Sequence, residues 1–276
     1  INMKRKNIIF ISSISVLIAF LLVGIFADFL APYDPNQVDM LNGLAGPSTE
    51  HWLGTDHLGR DLLSRLIYGS RSSVFIAFFA TGCTLLLGLV IGLLSGYFGG
   101  WIDQTIQSIV NIFQGIPSTA FVVAVLGFWE PGIKSLLVAI VVSSWADFSR
   151  IVRNQVLEIR EKHYIEGARA LGAGDFYIIY HHVFPNILPP LLVLVATRIG
   201  STVLTVASMS FLGLGLRAPA SDWGIMINDA KLYYLKNFMV LLAPAICLIV
   251  FCLSINLIAD YLRDVIDQDD GASRML

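Results

Sequence analysis

Apolar runs about as long as a lipid bilayer is thick recur along this chain, and they restrict its fold more than any other feature of the sequence. A hydrocarbon core of about 30 Å needs about 20 helical residues at 1.5 Å each. Inside it the backbone has no water to bond, so such runs fold as helices. Six stretches reach or approach that length: 8–30, 73–95, 105–128, 133–148, 188–212 and 239–258. The fourth is short and must borrow flanking residues or stand close to the membrane normal. Composition agrees, with 56% hydrophobic and 14% charged residues and a mean hydropathy of +0.73, outside the range of soluble domains. The expected fold is all-α: a polytopic membrane protein with six transmembrane helices.

Lys4, Arg5 and Lys6 precede the first run, which is longer than the hydrophobic region of a secretory signal and reads as an uncleaved span with a cytoplasmic N-terminus. Six spans then place the polar stretch 150–182 on the same side. That arrangement puts ten lysines and arginines inside and seven outside, the sense of the positive-inside rule. The expected divisions are an N-terminal helix over 1–30, an extracytoplasmic loop over 31–72, a transmembrane core over 73–266 containing a cytoplasmic loop at 149–187, and a cytoplasmic tail over 267–276. Within the first loop, Leu62, Leu63, Leu66 and Ile67 oppose Arg60, Asp61, Ser64 and Arg65, the pattern of a helix lying at the outer interface. The outer loop 213–238 carries Trp223, Tyr233 and Tyr234, residues of the interfacial belt.

Several positions inside the spans call for an explanation. Gly88, Gly92, Gly96 and Gly100 stand four residues apart and form a smooth ridge for close helix packing, inside this chain or against a homologous partner. Gly115-Ile116-Pro117 breaks the third span, because proline removes a backbone hydrogen bond. Asn111 and Gln114, one turn earlier, are candidates for a pathway lining or for interhelical hydrogen bonds. Arg198 lies well inside the fifth span, where an unpaired charge costs at least a few kcal/mol. Pairing with a carboxylate, such as one on a partner chain, is expected, with substrate contact as the alternative.

Chemistry of other kinds finds no support. G-x-x-x-x-G-K-[ST], H-E-x-x-H and G-x-S-x-G are all absent, so no catalytic, cofactor or metal residue is assigned, and no nucleic-acid partner is expected. Gly172-Ala173-Gly174-Asp175 matches the G-x-G-D of intramembrane aspartyl proteases, but Asp175 sits in the polar loop and the one Tyr-Asp pair, Tyr33-Asp34, falls in the opposite loop. His51, His57, His163, His181 and His182 read as surface or interfacial residues. Cys83, Cys247 and Cys252 lie in apolar runs and read as small core residues. An ion-coupled carrier would show ionisable residues deep in several spans; besides Arg198, Asp147 falls near the inner end of its run.

The polar stretch itself has structure. Ile151, Val152, Val156, Leu157 and Ile159 recur at helical spacing. A second helix carries Ile165, Ala168 and Leu171 and stops at Gly172, and a third amphipathic run covers 176–184. Short helices joined by glycines form a knob able to enter a groove on another protein. Glu166-Gly167-Ala168, then Gly172 and Val183-Phe184-Pro185, resemble the E-A-A…G…I-x-L-P signature of permease subunits of binding-protein-dependent ABC importers. HWLGTDHLGRDLLSRLIYGSR, GLLSGYFGG, ARALGAGDFYIIYHHVFPNILPPLLV and SFLGLGL are similar to the dipeptide, oligopeptide and nickel branch, and WGIMINDA is most similar to nickel and metal-chelate permeases.

The resemblance implies a five-helix core plus one N-terminal helix and a homologous second permease. It implies two ATPases that use ATP and magnesium and dock on the loop, and an extracytoplasmic binding protein that delivers nickel, a metal chelate or a peptide. By the same resemblance Glu166, Gly167, Ala168, Arg169, Ala170, Leu171 and Gly172 form the coupling element. Gly167 departs from the signature's alanine, at a helix cost of about 0.5–1 kcal/mol.

Overall fold

The computed structural model describes the backbone of residues 3–273 and the side chains of residues 6–266. Lys4, Arg5, Arg274 and the acidic tail therefore lie outside the described side chains. Described secondary structure is helical apart from a single bridge between Thr55 and Asp61. The helices are α1 (Met3–Ile25), α2 (Ala27–Leu30), α3 (Leu62–Phe98), α4 (Gly100–Gln114), α5 (Ser118–Phe128), α6 (Ile133–Arg160), α7 (His163–Ala170), α8 (Asp175–Ile178), α9 (Phe184–Phe211), α10 (Trp223–Ala230) and α11 (Met239–Ser273). Among the described residues five helices are long and apolar enough to cross a membrane. The α4–α5 pair, bent by 82° at Gly115-Ile116-Pro117, makes a sixth when taken as one broken span, so the predicted break is where proline put it.

Four boundaries differ from expectation, each because a helix runs on past the apolar run that announced it. The interfacial helix expected near 62–67 is the first part of the 37-residue α3. Asp61 starts it by accepting the backbone N–H of Ser64 at 2.7 Å, and Gly99 ends it at a φ of +67°, a conformation open to glycine. Polar residues 150–160 are the last turns of α6 rather than a separate helix. The run 176–184 likewise feeds through a π-helical turn, Ile179–Val183, directly into α9. The tail expected from 267 continues α11 as helix to Ser273.

α3 and α6 run parallel and form the most extensive helix contact of the chain. Their seam is the glycine ridge: a Cβ on Gly88 would lie 2.4 Å from Phe148 Cβ, on Gly92 2.6 Å from the Ser149 carbonyl oxygen, and on Gly96 2.8 Å from Val156 Cβ. The ridge is thus packing within this chain. Gly100 is not part of it, since α3 ends at Phe98 and Gly100 opens α4 with open space beside it.

At one end of the bundle α1, α3, α10 and α11 enclose a core around Trp223, with Phe251 and Phe20 against its ring. Trp223 is wholly buried, which corrects its assignment to an interfacial belt. At the opposite end Lys6 Nζ meets Asp264 Oδ2 at 2.6 Å, so the start of α1 and the late turns of α11 lie together, at the end where α3 and α6 finish.

Candidate functional site

Two features of the fold concentrate polar groups where a membrane helix ordinarily has none. The first is a cavity of about 170 Å³ between α3, α5, α6 and α9, lined by nine serine and threonine side chains. Its charged residues are Asp147 and Arg198. Each stands midway along a 28-residue helix, fourteen residues from the starts of α6 and α9 respectively. Asp147 is therefore not near a helix end, as its apolar run suggested, because α6 continues to Arg160. Arg198 Nη2 donates to Asp147 Oδ2 at 3.2 Å, and Gln114 Nε2 donates to Asp147 Oδ1 at 3.0 Å. Arg198 also lies over the ring of Phe148 at 5.3 Å. The expected carboxylate partner of Arg198 thus exists, but in this chain rather than another. Gln114, the last residue of α4, ties the broken span to this pair. Asn111 accepts instead from Arg150 Nη2 on α6 and is outside the cavity lining.

The second feature is a platform at the end of the bundle where α3 and α6 finish. α7 crosses between α6 and α8, held by Ile165, which is fully buried among Val152, Val156, Ile159, Ile178 and Val183. Side chains tie together the elements around it, and Arg169 alone of these belongs to α7. Tyr97 OH donates to Asp175 Oδ1 at 2.7 Å, Arg169 lies over the Tyr97 ring at 5.4 Å, and Arg160 Nη1 donates to the carbonyls of Gly96 and Tyr97 at 3.2 and 2.9 Å. Arg153 adds an ion pair to Asp103 at 2.5 Å. Outward from this base Glu166, Gly167, Arg169, Ala170, Leu171 and Gly172 are exposed, with Ala168 half-buried. Leu171 is 91% exposed. Gly172, at a φ of +85°, turns the chain out of α7, and Asp175 of the protease-like motif serves as the acceptor for Tyr97.

A third cluster, at the other end, was not legible in the sequence as a unit. Arg60 Nε meets Asp56 Oδ2 at 2.6 Å, Arg65 Nε meets the same oxygen at 3.4 Å, and Arg60 Nη2 reaches Asp229 at 3.3 Å. Arg60 and Arg65 are almost completely buried. Next to it Asp222 caps α10 by accepting the N–H groups of Gly224 and Ile225 and the hydroxyl of Ser73. Burial raises the Asp222 carboxyl above the usual aspartate range against those bonds.

Broken and continuous spans around a hydroxyl-lined chamber, with an anchored helical platform at one end, define a polytopic membrane protein of the permease class. The family described as the binding-protein-dependent transport system inner membrane component matches residues 88–269, and the N-terminal transmembrane domain of oligopeptide transport permease C matches residues 5–47. The chain is 36% identical to the dipeptide transport system permease protein of Alkalihalophilus pseudofirmus, over 95% of this chain and 86% of that one. It is 37% identical to the nickel transport system permease protein of Escherichia coli K12, over 91% of each. It is 35% identical to the glutathione transport system permease protein of Pectobacterium atrosepticum, over 95% of this chain and 87% of that one. A solved structure of the methionine ABC transporter MetNI, in inward-facing conformations, shares the fold with a TM-score of 0.61 at 23% identity, covering 74% of this chain and 97% of that one.

The chain belongs to the binding-protein-dependent transport family, as a permease subunit of an ABC importer in the dipeptide, oligopeptide and nickel branch. Membership sets aside the secondary carrier and the protease. It makes the chain a multi-pass bacterial inner-membrane subunit that is not itself catalytic and that works with ATPase and substrate-binding partners.

Proposed function

We propose that this chain forms half of a translocation pathway for nickel or a metal–chelate complex, the other half coming from a homologous second permease. Two ATPases, using ATP and magnesium, dock on the platform over 150–182. In this reading the N-terminus and platform are cytoplasmic, and the loops between α2 and α3 and between α9 and α11 receive the extracytoplasmic binding protein.

The observation that carries the docking role is the construction of α7. Buried Ile165 fixes it to the end of α6 and Arg169, over the Tyr97 ring, to the end of α3, while Glu166, Gly167, Ala170, Leu171 and Gly172 stay exposed. Leu171 shares its exposure with Tyr164, Phe176 and Tyr180, and several large apolar side chains left uncovered on one platform suit a surface that a partner covers. Closure of the ATPases on ATP moves α7, and α7 moves with α6 as one body.

Import of short peptides through the same architecture is the second reading, and one observation favours it. WGIMINDA, the segment most similar to nickel permeases, is α10, whose Trp223, Gly224, Ile225 and Met226 are buried in the core and do not line the cavity. The test is ATP-driven uptake by the whole importer in proteoliposomes, comparing labelled nickel with and without a chelator against a labelled dipeptide. Nickel uptake, free or as its chelate, without dipeptide uptake supports the first reading, and dipeptide uptake without nickel uptake supports the second. Gly172→Arg should abolish either uptake with the permease still in the membrane; normal uptake in that variant removes the docking role.

A further inference from the structure

The pair at the centre of the cavity is incompletely bonded, and that imbalance points to a ligand. Asp147 accepts one hydrogen bond on each oxygen, from Gln114 and from Arg198. Among the described residues Arg198 donates one hydrogen bond, a 3.2 Å contact from a single nitrogen, although a guanidinium carries five N–H donors in a fork suited to bidentate carboxylates. Its side chain keeps 28% of its exposure, and that of Asp147 keeps 40%. A pair built only to neutralise itself in lipid gains most from two parallel bonds and full enclosure. This one is open on its cavity side, where hydroxyl groups surround it. The cavity, of about 170 Å³, is polar and large enough for several waters or for the polar end of a solute.

We infer that Arg198 binds a carboxylate of the transported solute, which takes the free edge of the guanidinium and displaces Asp147 from it. Asp147 stays held by Gln114 at the break between α4 and α5, so the exchange transfers one contact and leaves no carboxylate without a donor. The inference rests on the cavity being part of the pathway. It applies equally to the C-terminus of a short peptide and to a carboxylate of an organic ligand wrapped around nickel, since the group recognised is the same.

The test uses the complete importer, with ATPases and binding protein, in proteoliposomes. Uptake is measured for a dipeptide against its C-terminal amide, and for nickel with a polycarboxylate against nickel with an uncharged amine chelator. The arm that supports uptake identifies the source of the carboxylate. Arg198→Gln alone leaves Asp147 unpaired, so the decisive variant is Asp147→Asn with Arg198→Gln, which removes both charges. The expected result is that the ratio of acid to neutral-analogue uptake falls at least about tenfold in the double variant, the scale of a charge-assisted hydrogen bond.

An unchanged ratio overturns the inference and leaves the pair a structural one. Ser144→Cys in a background without Cys83, Cys247 and Cys252, probed with a membrane-impermeant thiol reagent during turnover, separates this from failure of the underlying reading. Labelling with an unchanged ratio removes the carboxylate site alone, and absence of labelling removes the cavity from the pathway and the site with it.

Discussion

Gly92→Ala should destabilise this protein although alanine is the better helix former, because the added methyl has nowhere to go. Its Cβ would lie 2.6 Å from the Ser149 carbonyl oxygen and 2.7 and 2.9 Å from Val152 Cβ and Cγ1. Ordinary carbon contacts are about 3.5–4.0 Å, so α6 must retreat by about 1 Å. Gly88 and Gly96 hold the same two helices together one turn to either side, so a local retreat opens the seam along three turns. Overpacking of this kind costs about 1–3 kcal/mol, and the helix preference for alanine returns about 0.5–1 kcal/mol. A net loss of up to about 2.5 kcal/mol remains, which for a chain of this size lowers Tm by about 2–4 °C per kcal/mol.

Gly82 supplies the control on the same helix. A Cβ there meets nothing within 4 Å, so Gly82→Ala should raise Tm. Unfolding of the chain in detergent can be followed with a thiol-reactive fluorophore, since Cys247 and Cys252 in α11 are half-buried in the native fold. Gly92→Ala melting at or above the wild-type temperature, with Gly82→Ala raised as expected, would show that the seam is not close-packed and refute the reasoning.

Three further outcomes follow from the polar clusters. Asp56→Ala strips the carboxylate shared by Arg60 and Arg65, whose side chains are 4% and 1% exposed, and should cost about 3–5 kcal/mol as two buried cations lose their partner; retention of wild-type Tm and membrane yield contradicts it. Asp222→Asn keeps the cap oxygen for α10 but cannot ionise. The folded carboxyl has a raised pKa, so its stabilising contribution is complete below the unfolded value of 3.8 and is lost as pH rises through the folded one. The variant's Tm should accordingly lack the wild-type decline above about pH 4, and parallel Tm profiles would count against it. Tyr97→Phe keeps the ring under Arg169 and removes the bond to Asp175. Under the proposed docking role, uptake per ATP hydrolysed should fall severalfold while ATP hydrolysis continues, and a normal ratio would dissociate Tyr97 from coupling.

How far the sequence reveals this arrangement depends on whether a feature is local. Apolar length located every span, and Gly115-Ile116-Pro117 located the bend, because both act on the backbone within a turn or two. Gly172 marked the end of α7 for the same reason, whereas of its apolar positions Ile165, Ala168 and Leu171 only Ile165 is fully buried and Leu171 is exposed. Helix ends were misplaced wherever a helix outlasts its apolar run: Leu62 to Ile67 and Arg150 to Arg160 are amphipathic because they pack on other parts of the chain beyond the lipid. Trp223 carries the composition of an interfacial residue, yet it is enclosed by Phe20 and Phe251, neighbours set by tertiary packing. The partnership of Gln114, Asp147 and Arg198 spans three helices across as many as 84 positions of chain, and no spacing rule connects them.

The same long helices supply the mechanical link between platform and cavity. α6 is one uninterrupted helix of 28 residues, about 42 Å at 1.5 Å per residue. It carries the Ile159 contact to α7 near one end and Asp147 at its middle. Along Phe148, Val152 and Val156 it is locked to α3 by glycines that leave no room for sliding. Displacement of α7 is therefore shared by α3 and α6 together, and α4 is tied to α6 through Asp103–Arg153, Asn111–Arg150 and Gln114–Asp147, whereas α5 lies beyond the 82° break. Gln114 sits at the junction, bonded across to Asp147. The charged pair and its hydroxyl shell are placed where the α3–α6 body meets α9 and the bent span.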